Sequence, residues 1–229
     1  MNPAARSLPV TARTRVRRHA ERARSGRADL YAVLDAGMIC HLGVIDGGAP
    51  VVLPTAYGRL GDTLYLHGSS ANRSMAAADG RRVCVTVTHL DGLVCARAAF
   101  THSVNYRSAV IFGTGRIVRD QAERLAGLRA VTEQLIPGRW ERVRAPSRKE
   151  LAATSVLAVP LAEASVKVRA GPPEDDPDDL AAPGTWAGVV PVYLSFGTPE
   201  PDPALPPGTA PSADIRGLAG KAAAPPSDR

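Results

Sequence analysis

Long apolar runs are missing from this chain of 229 residues: nothing in it approaches the roughly 18 consecutive apolar residues that a membrane-spanning helix needs. The first residues, "MNPAARSLPVTARTRVRRHAERARSG", are rich in arginine but lack an apolar core of signal-peptide length, so the chain reads as a soluble protein of the cytoplasm with no membrane partner. Cysteine is scarce. Cys40, Cys84 and Cys95 are odd in number and form no Cys-x-x-Cys pair, which argues against a disulfide framework and against a zinc site; no metal is expected. Aromatic residues make up only 4% of the chain, too few for a base-stacking face, and no helix-turn-helix pattern is present. A nucleic-acid binder is therefore disfavoured, although the formal charge is +6. That charge is uneven: residues 1–30 hold eight arginines against Glu21 and Asp29, while residues 171–229 are net acidic and include "PEDDPDD". A solvated basic arm accounts for the excess.

What is present is a hydrophobic content of 45%, enough to bury a substantial core. "DLYAVLDAG" predicts a short helix stopped at Gly37, and "MICHLGVI", "VVLPTAYGRL" and "TLYLHG" predict strands joined by glycine-bearing turns. "RRVCVTVTHL", "GLVCAR", "SAVIFGTGRIV" and "SVLAVPLAEASVKVR" supply further strands. "DQAERLAGLRAVTEQLIP" is the clearest helix, with Asp120 placed to cap it and Pro137 and Gly138 to end it. Short strands, tight turns and inserted helices predict a mainly β fold (α+β), a small antiparallel barrel with a few short flanking helices. The expected organisation is a flexible arm over residues 1–13, one domain over 14–198, and a proline- and alanine-rich tail over 199–229 that is disordered or draped on the surface.

Two polar clusters stand out. In "LYLHGSSANRSM" a strand passes into a helix through serines, an asparagine and an arginine, so unpaired N–H groups, the hydroxyls of Ser69, Ser70 and Ser74, and the Arg73 guanidinium could converge on an anion. Serine and asparagine before a helix also serve as ordinary caps. "THSVNYRSAVIFGTGRIV" places His102, Ser103, Asn105, Tyr106, Arg107 and Ser108 at the head of another strand, and two such clusters would form the walls of one pocket.

The succession "LDAGMICHLGVIDGGAPVVLPTAYGRLGDTLYLHGSSANR", "NYRSAVIFGTGRIV", "VKVR" and "WAGVVPV" resembles the pyridoxamine 5′-phosphate oxidase-like family of FMN-binding split β-barrels, and within it is most similar to the nitroimidazole-resistance branch. The resemblance implies FMN as cofactor, its phosphate held by Ser70, Asn72 and Arg73, its ring against Pro54, Thr55 and Ala56 on one strand and Leu66 and His67 on the next. Arg107 and Ser108 match positions that contact the phosphate or the ring, and Lys167 is implied to face the cleft. His67 matches a histidine beside the flavin and is the candidate catalytic residue. The resemblance further implies a homodimer with flavin sites at the interface, acting as an oxidoreductase on a small organic molecule. Its alternatives are a flavin-storage or sensing module, or a split barrel holding deazaflavin or haem, with His41, His67 or His102 as candidate haem ligands. Pyridoxamine phosphate oxidation itself is disfavoured, because the C-terminus lacks an arginine- and histidine-bearing motif for the substrate phosphate.

Overall fold

A computed structural model describes residues 7–181 and 184–223; residues 1–6 of the expected arm and 224–229 of the expected tail lie outside the described residues. Gly47 and Gly48 both take positive φ (60° and 83°), the conformation a two-residue hairpin turn demands, and join β2 (Ile39–Asp46) to β3 (Ala49–Leu60). A short strand precedes them, β1 (Ala23–Arg24), and then α1 (Arg27–Asp35). β4 (Thr63–Ser69) leads into α2 (Arg73–Ala78), followed by β5 (Arg82–Cys95), β6 (Ser103–Thr114), β7 (Arg116–Ile117) and α3 (Gln121–Leu135). A 3₁₀ turn at Trp140–Arg142 and α4 (Arg148–Ala153) precede β8 (Thr154–Pro160) and β9 (Glu163–Arg169). The elements α5 (Pro177–Ala181), β10 (Gly188–Pro191) and α6 (Ala213–Arg216) complete the described chain.

The strands form an antiparallel sheet in the order β1-β9-β6-β5-β2-β3-β4-β8-β7, with β10 added to β5. The sheet curls until β6 meets β8. At that seam a Cβ on Gly113 would lie 3.0 Å from Val159 Cγ1, a tight contact that glycine avoids as the strands close. Inside the barrel, alternate residues of the central strands, among them Leu42, Val85, Ile111, Leu64, Leu66 and Leu157, make one buried core.

Two differences from the sequence reading have clear causes. "RRVCVTVTHL" and "GLVCAR" are one strand, β5, because a β-bulge between Leu90 and Gly92 absorbs the irregularity instead of ending the pairing. "SVLAVPLAEASVKVR" is two strands, β8 on β4 and β9 on β6, since the chain crosses the seam at Leu161, whose side chain is fully buried.

α1 docks across one barrel end, and its last carbonyls are satisfied from outside the helix. Tyr57 Oη donates to Leu34 O at 2.5 Å, His89 Nε2 lies 2.9 Å from Val33 O, and Gln134 Nε2 donates to the carbonyls of Leu34, Asp35 and Gly37. α3 begins as its sequence predicts, with Asp120 Oδ1 accepting from Glu123 N at 2.8 Å, and it lies so close to β3 that a Cβ on Gly58 would fall 2.2 Å from the backbone of Ala130. The segment from residue 195 onward folds back: Ser195 pairs with Ala222, and the buried Asp214 carboxylate of α6 sits 3.3 Å from both Arg139 and Arg142 beside the Trp140 turn.

Candidate functional site

Strand β4 has two personalities by alternation. Leu64 and Leu66 point into the barrel and are fully buried; Tyr65 and His67 point to the opposite face, where Tyr65, Val118, Val131, Val156 and Ala158 form a second apolar cluster beneath α3. Cross-strand pairing sets His67 beside Val156. Beyond Tyr65 the helix and the segment after it lift away from the sheet, and the gap is a chamber of about 550 Å³ with His67 on its lining. Leu128, Val131, Leu135, Trp140, Val143 and Leu151 make its apolar walls, and Arg144, paired with Glu150 at 2.5 Å, stands among them as a cation.

Among the described residues the His67 side chain makes no hydrogen bond or ion pair. Desolvation pushes its imidazole below the ordinary histidine value, so the ring is held neutral with a lone pair to offer. A cavity of this size, mostly apolar with a few polar groups on its lining, has the character of a small-molecule or cofactor site. The other two histidines considered as ligands are elsewhere: His41 lies on the sheet's outer face opposite Pro54, and His102 Nδ1 lies 2.9 Å from its local carbonyl, Ala98 O.

The remaining candidates fall into separate groups. At the β4–α2 junction, Asn72 spends its side chain capping α2 by accepting from the N–H groups of Ser74 and Met75. Ser70 is tied by its backbone N–H to Ala153 O, and Arg73 is 83% exposed with Asp46 at 3.4 Å. Pro54 lies on the exposed outer face, Ala56 packs against the cluster under α3, Thr55 Oγ1 donates to Ala56 O, and the Leu66 side chain is sealed in the core. Ser108 and Lys167 are cross-strand partners on the outer side of β6 and β9; Lys167 Nζ donates to Arg18 O at 3.2 Å. Arg107 is not beside Ser108. It points to the other side of β6, is buried, and is gripped through two nitrogens by both oxygens of Asp91 at 2.8 and 2.9 Å.

Sequence reasoning missed the chamber walls and Asp91. The stripe Leu128, Val131, Leu135 was legible as the buried face of a helix, but nothing in its period says that the face covers a cavity as well as a sheet. Asp91 sits at the bulge, two residues on from His89, the cross-strand partner of Arg107, and so shares Arg107's side of the sheet.

Residues 26–168 match the family described as pyridoxamine 5′-phosphate oxidase. Among solved structures, the chain is similar to the flavocytochrome Anf3 from Azotobacter vinelandii, with 42% identity over 92% of this chain and 98% of that one and a TM-score of 0.86. It is also similar to the FAD and haem binding protein from Mycobacterium smegmatis, with 39% identity over 89% of this chain and all of the other and a TM-score of 0.84. A 5-nitroimidazole antibiotic resistance protein from Bacteroides thetaiotaomicron shares the fold at 22% identity, covering 64% of this chain and 86% of its own, with a TM-score of 0.55. No curated protein matches in sequence. A mainly antiparallel split barrel with flanking helices, sharing most of its length with two such relatives, defines the class. The chain belongs to the pyridoxamine 5′-phosphate oxidase-like family of split barrels.

Proposed function

We propose that this chain is a flavin- and haem-carrying electron-transfer protein, with haem taken up in the His67 chamber and flavin on the outer sheet face next to it. One observation carries the reading: a single neutral imidazole, without a hydrogen-bonding partner among the described residues, opens into a large apolar chamber. Such a nitrogen is suited to an iron centre, and the apolar walls would exclude competing water. Arg144 offers a cation for carboxylate groups on the cofactor's edge. Bound haem would supply one-electron chemistry, and flavin the exchange between one- and two-electron carriers. The names of the two relatives near 40% identity, a flavocytochrome and an FAD and haem binding protein, support the same pairing.

For the flavin, the exposed Arg73 and the Ser70 turn would take a phosphate, while Pro54, Ser108 and Lys167 border the open face that receives the ring. The same face exposes Ile39, Ile45 and Val52, which a second copy of the chain would cover to give a homodimer. In this reading the protein is an oxidoreductase that passes electrons to or from a small organic acceptor.

The test is the absorption spectrum of the purified protein with haem added, beside chromatography of the released flavin, which separates FMN from FAD. Wild type should show a sharp haem band, and His67→Ala should lose or shift it while keeping its fold by circular dichroism. A folded His67→Ala variant with the wild-type band would overturn the assignment.

A further inference from the structure

A second cavity, of about 480 Å³, opens at the barrel end beyond Arg107 and belongs to neither cofactor site described above. Its polar wall is Asp91, Asn105, Arg107 and Arg169; its apolar wall includes Val168, Val189, Pro191 and Tyr193. Its two arginines are not equally satisfied. Asp91 uses both oxygens on Arg107. Arg169 is only 6% exposed and finds neutral partners: Nη1 donates to Asn105 Oδ1 at 2.6 Å and more distantly to Gly171 O at 3.5 Å, and Nη2 to Pro172 O at 3.2 Å. Its Nε is buried and has no hydrogen-bond acceptor among the described residues. The carboxylate near it, Glu174 at 4.0 Å, is 74% exposed and lies closer to Arg22, at 3.6 Å.

A buried guanidinium with an unsatisfied N–H is costly unless something anionic arrives to complete it. The planar fork of arginine fits the two oxygens of a carboxylate. The apolar wall, with Tyr193 partly open to solvent, asks for an apolar body behind that charge. We infer that this cavity is a binding site for a small organic carboxylate, its carboxyl group on Arg169 and its apolar part against Val189, Pro191 and Tyr193. Selection of the ligand is divided accordingly: Arg169 recognises charge, and the β10 wall recognises shape.

The experiment is a calorimetric titration of the full-length protein with benzoate, acetate and inorganic phosphate as probes. Wild type should bind benzoate saturably with one site per chain, more tightly than acetate or phosphate. Arg169→Met should weaken benzoate by at least about tenfold, the effect of losing one charge-assisted hydrogen bond. Because replacing a buried arginine can unfold the barrel, Tyr193→Ala provides a second reading at an exposed position: benzoate should weaken several-fold and acetate stay unchanged. The inference fails if wild type binds none of the three probes, if a folded Arg169→Met variant binds benzoate as wild type does, or if Tyr193→Ala leaves benzoate untouched. It fails equally if added FMN or FAD displaces benzoate, since the cavity would then be the flavin phosphate site.

Discussion

At the scale of single residues, the molecule's strongest commitments are charges placed where water is scarce. Asp91 and Arg107 face each other through two hydrogen bonds in a buried setting, and removing the carboxylate takes away both of them. Asp91→Ala should cost about 3 kcal/mol, which for a chain of this size lowers the melting temperature by roughly 10 °C. Calorimetry that finds almost no change would mean Arg107 has repaired its loss. His67 makes a different prediction, through pH. Its folded value is depressed, so between the ordinary histidine range and that lower value the unfolded chain takes up a proton that the folded chain refuses, and stability falls as pH falls through this window. The apoprotein should therefore lose more melting temperature between about pH 7 and pH 5 than the His67→Ala variant does. Equal slopes would count against the desolvated ring. His67 was legible in the sequence because its neighbours match a family pattern; Asp91 was not, because the sequence does not say which strand will lie opposite it.

At the scale of elements, the contact between α3 and β3 organises the chamber. Gly58 lets the helix backbone sit directly on the strand, and Gln134, in the last turn of α3, fastens the carbonyls at and just beyond the end of α1. Gly58→Ala would force a methyl group against the Ala130 backbone, so α3 must shift and the wall carrying Leu128 and Val131 must shift with it. The expected outcome is a loss of about 2 kcal/mol or more in stability together with weaker retention of the chamber's ligand, measured by thermal melts and haem release. An unchanged melt would show the helix to be free to move. Elements were the part most legible beforehand: capping at Asp120 and the Gly-Gly hairpin follow from local chemistry. The single long β5 and the divided β8 and β9 were not, since bulges and seam crossings are decided by which strand lies opposite.

At the scale of the whole molecule, the outer sheet face and the returning C-terminal segment set how the chain meets its surroundings. Val52, 63% exposed in the middle of an apolar surface shared with Ile39 and Ile45, is the point to test for self-association. Val52→Glu should convert a dimer into a monomer by light scattering while leaving the melting curve of the barrel cooperative; a variant that stays dimeric would place the interface on another face. Nothing in one chain's sequence distinguishes an open apolar sheet from a covered one, which is why the homodimer is an expectation from resemblance that this variant tests. The alternation along β4 has a consequence for descent as well as for chemistry. Leu64 and Leu66 answer to the barrel, while Tyr65 and His67 answer to whatever lies outside it, so one strand serves two masters on alternate residues. Side chains that roof the chamber without joining the barrel core, such as Val143 and Leu151, can then change while the packing inside the barrel stays as it is. A lineage built this way can change its cargo and keep its scaffold.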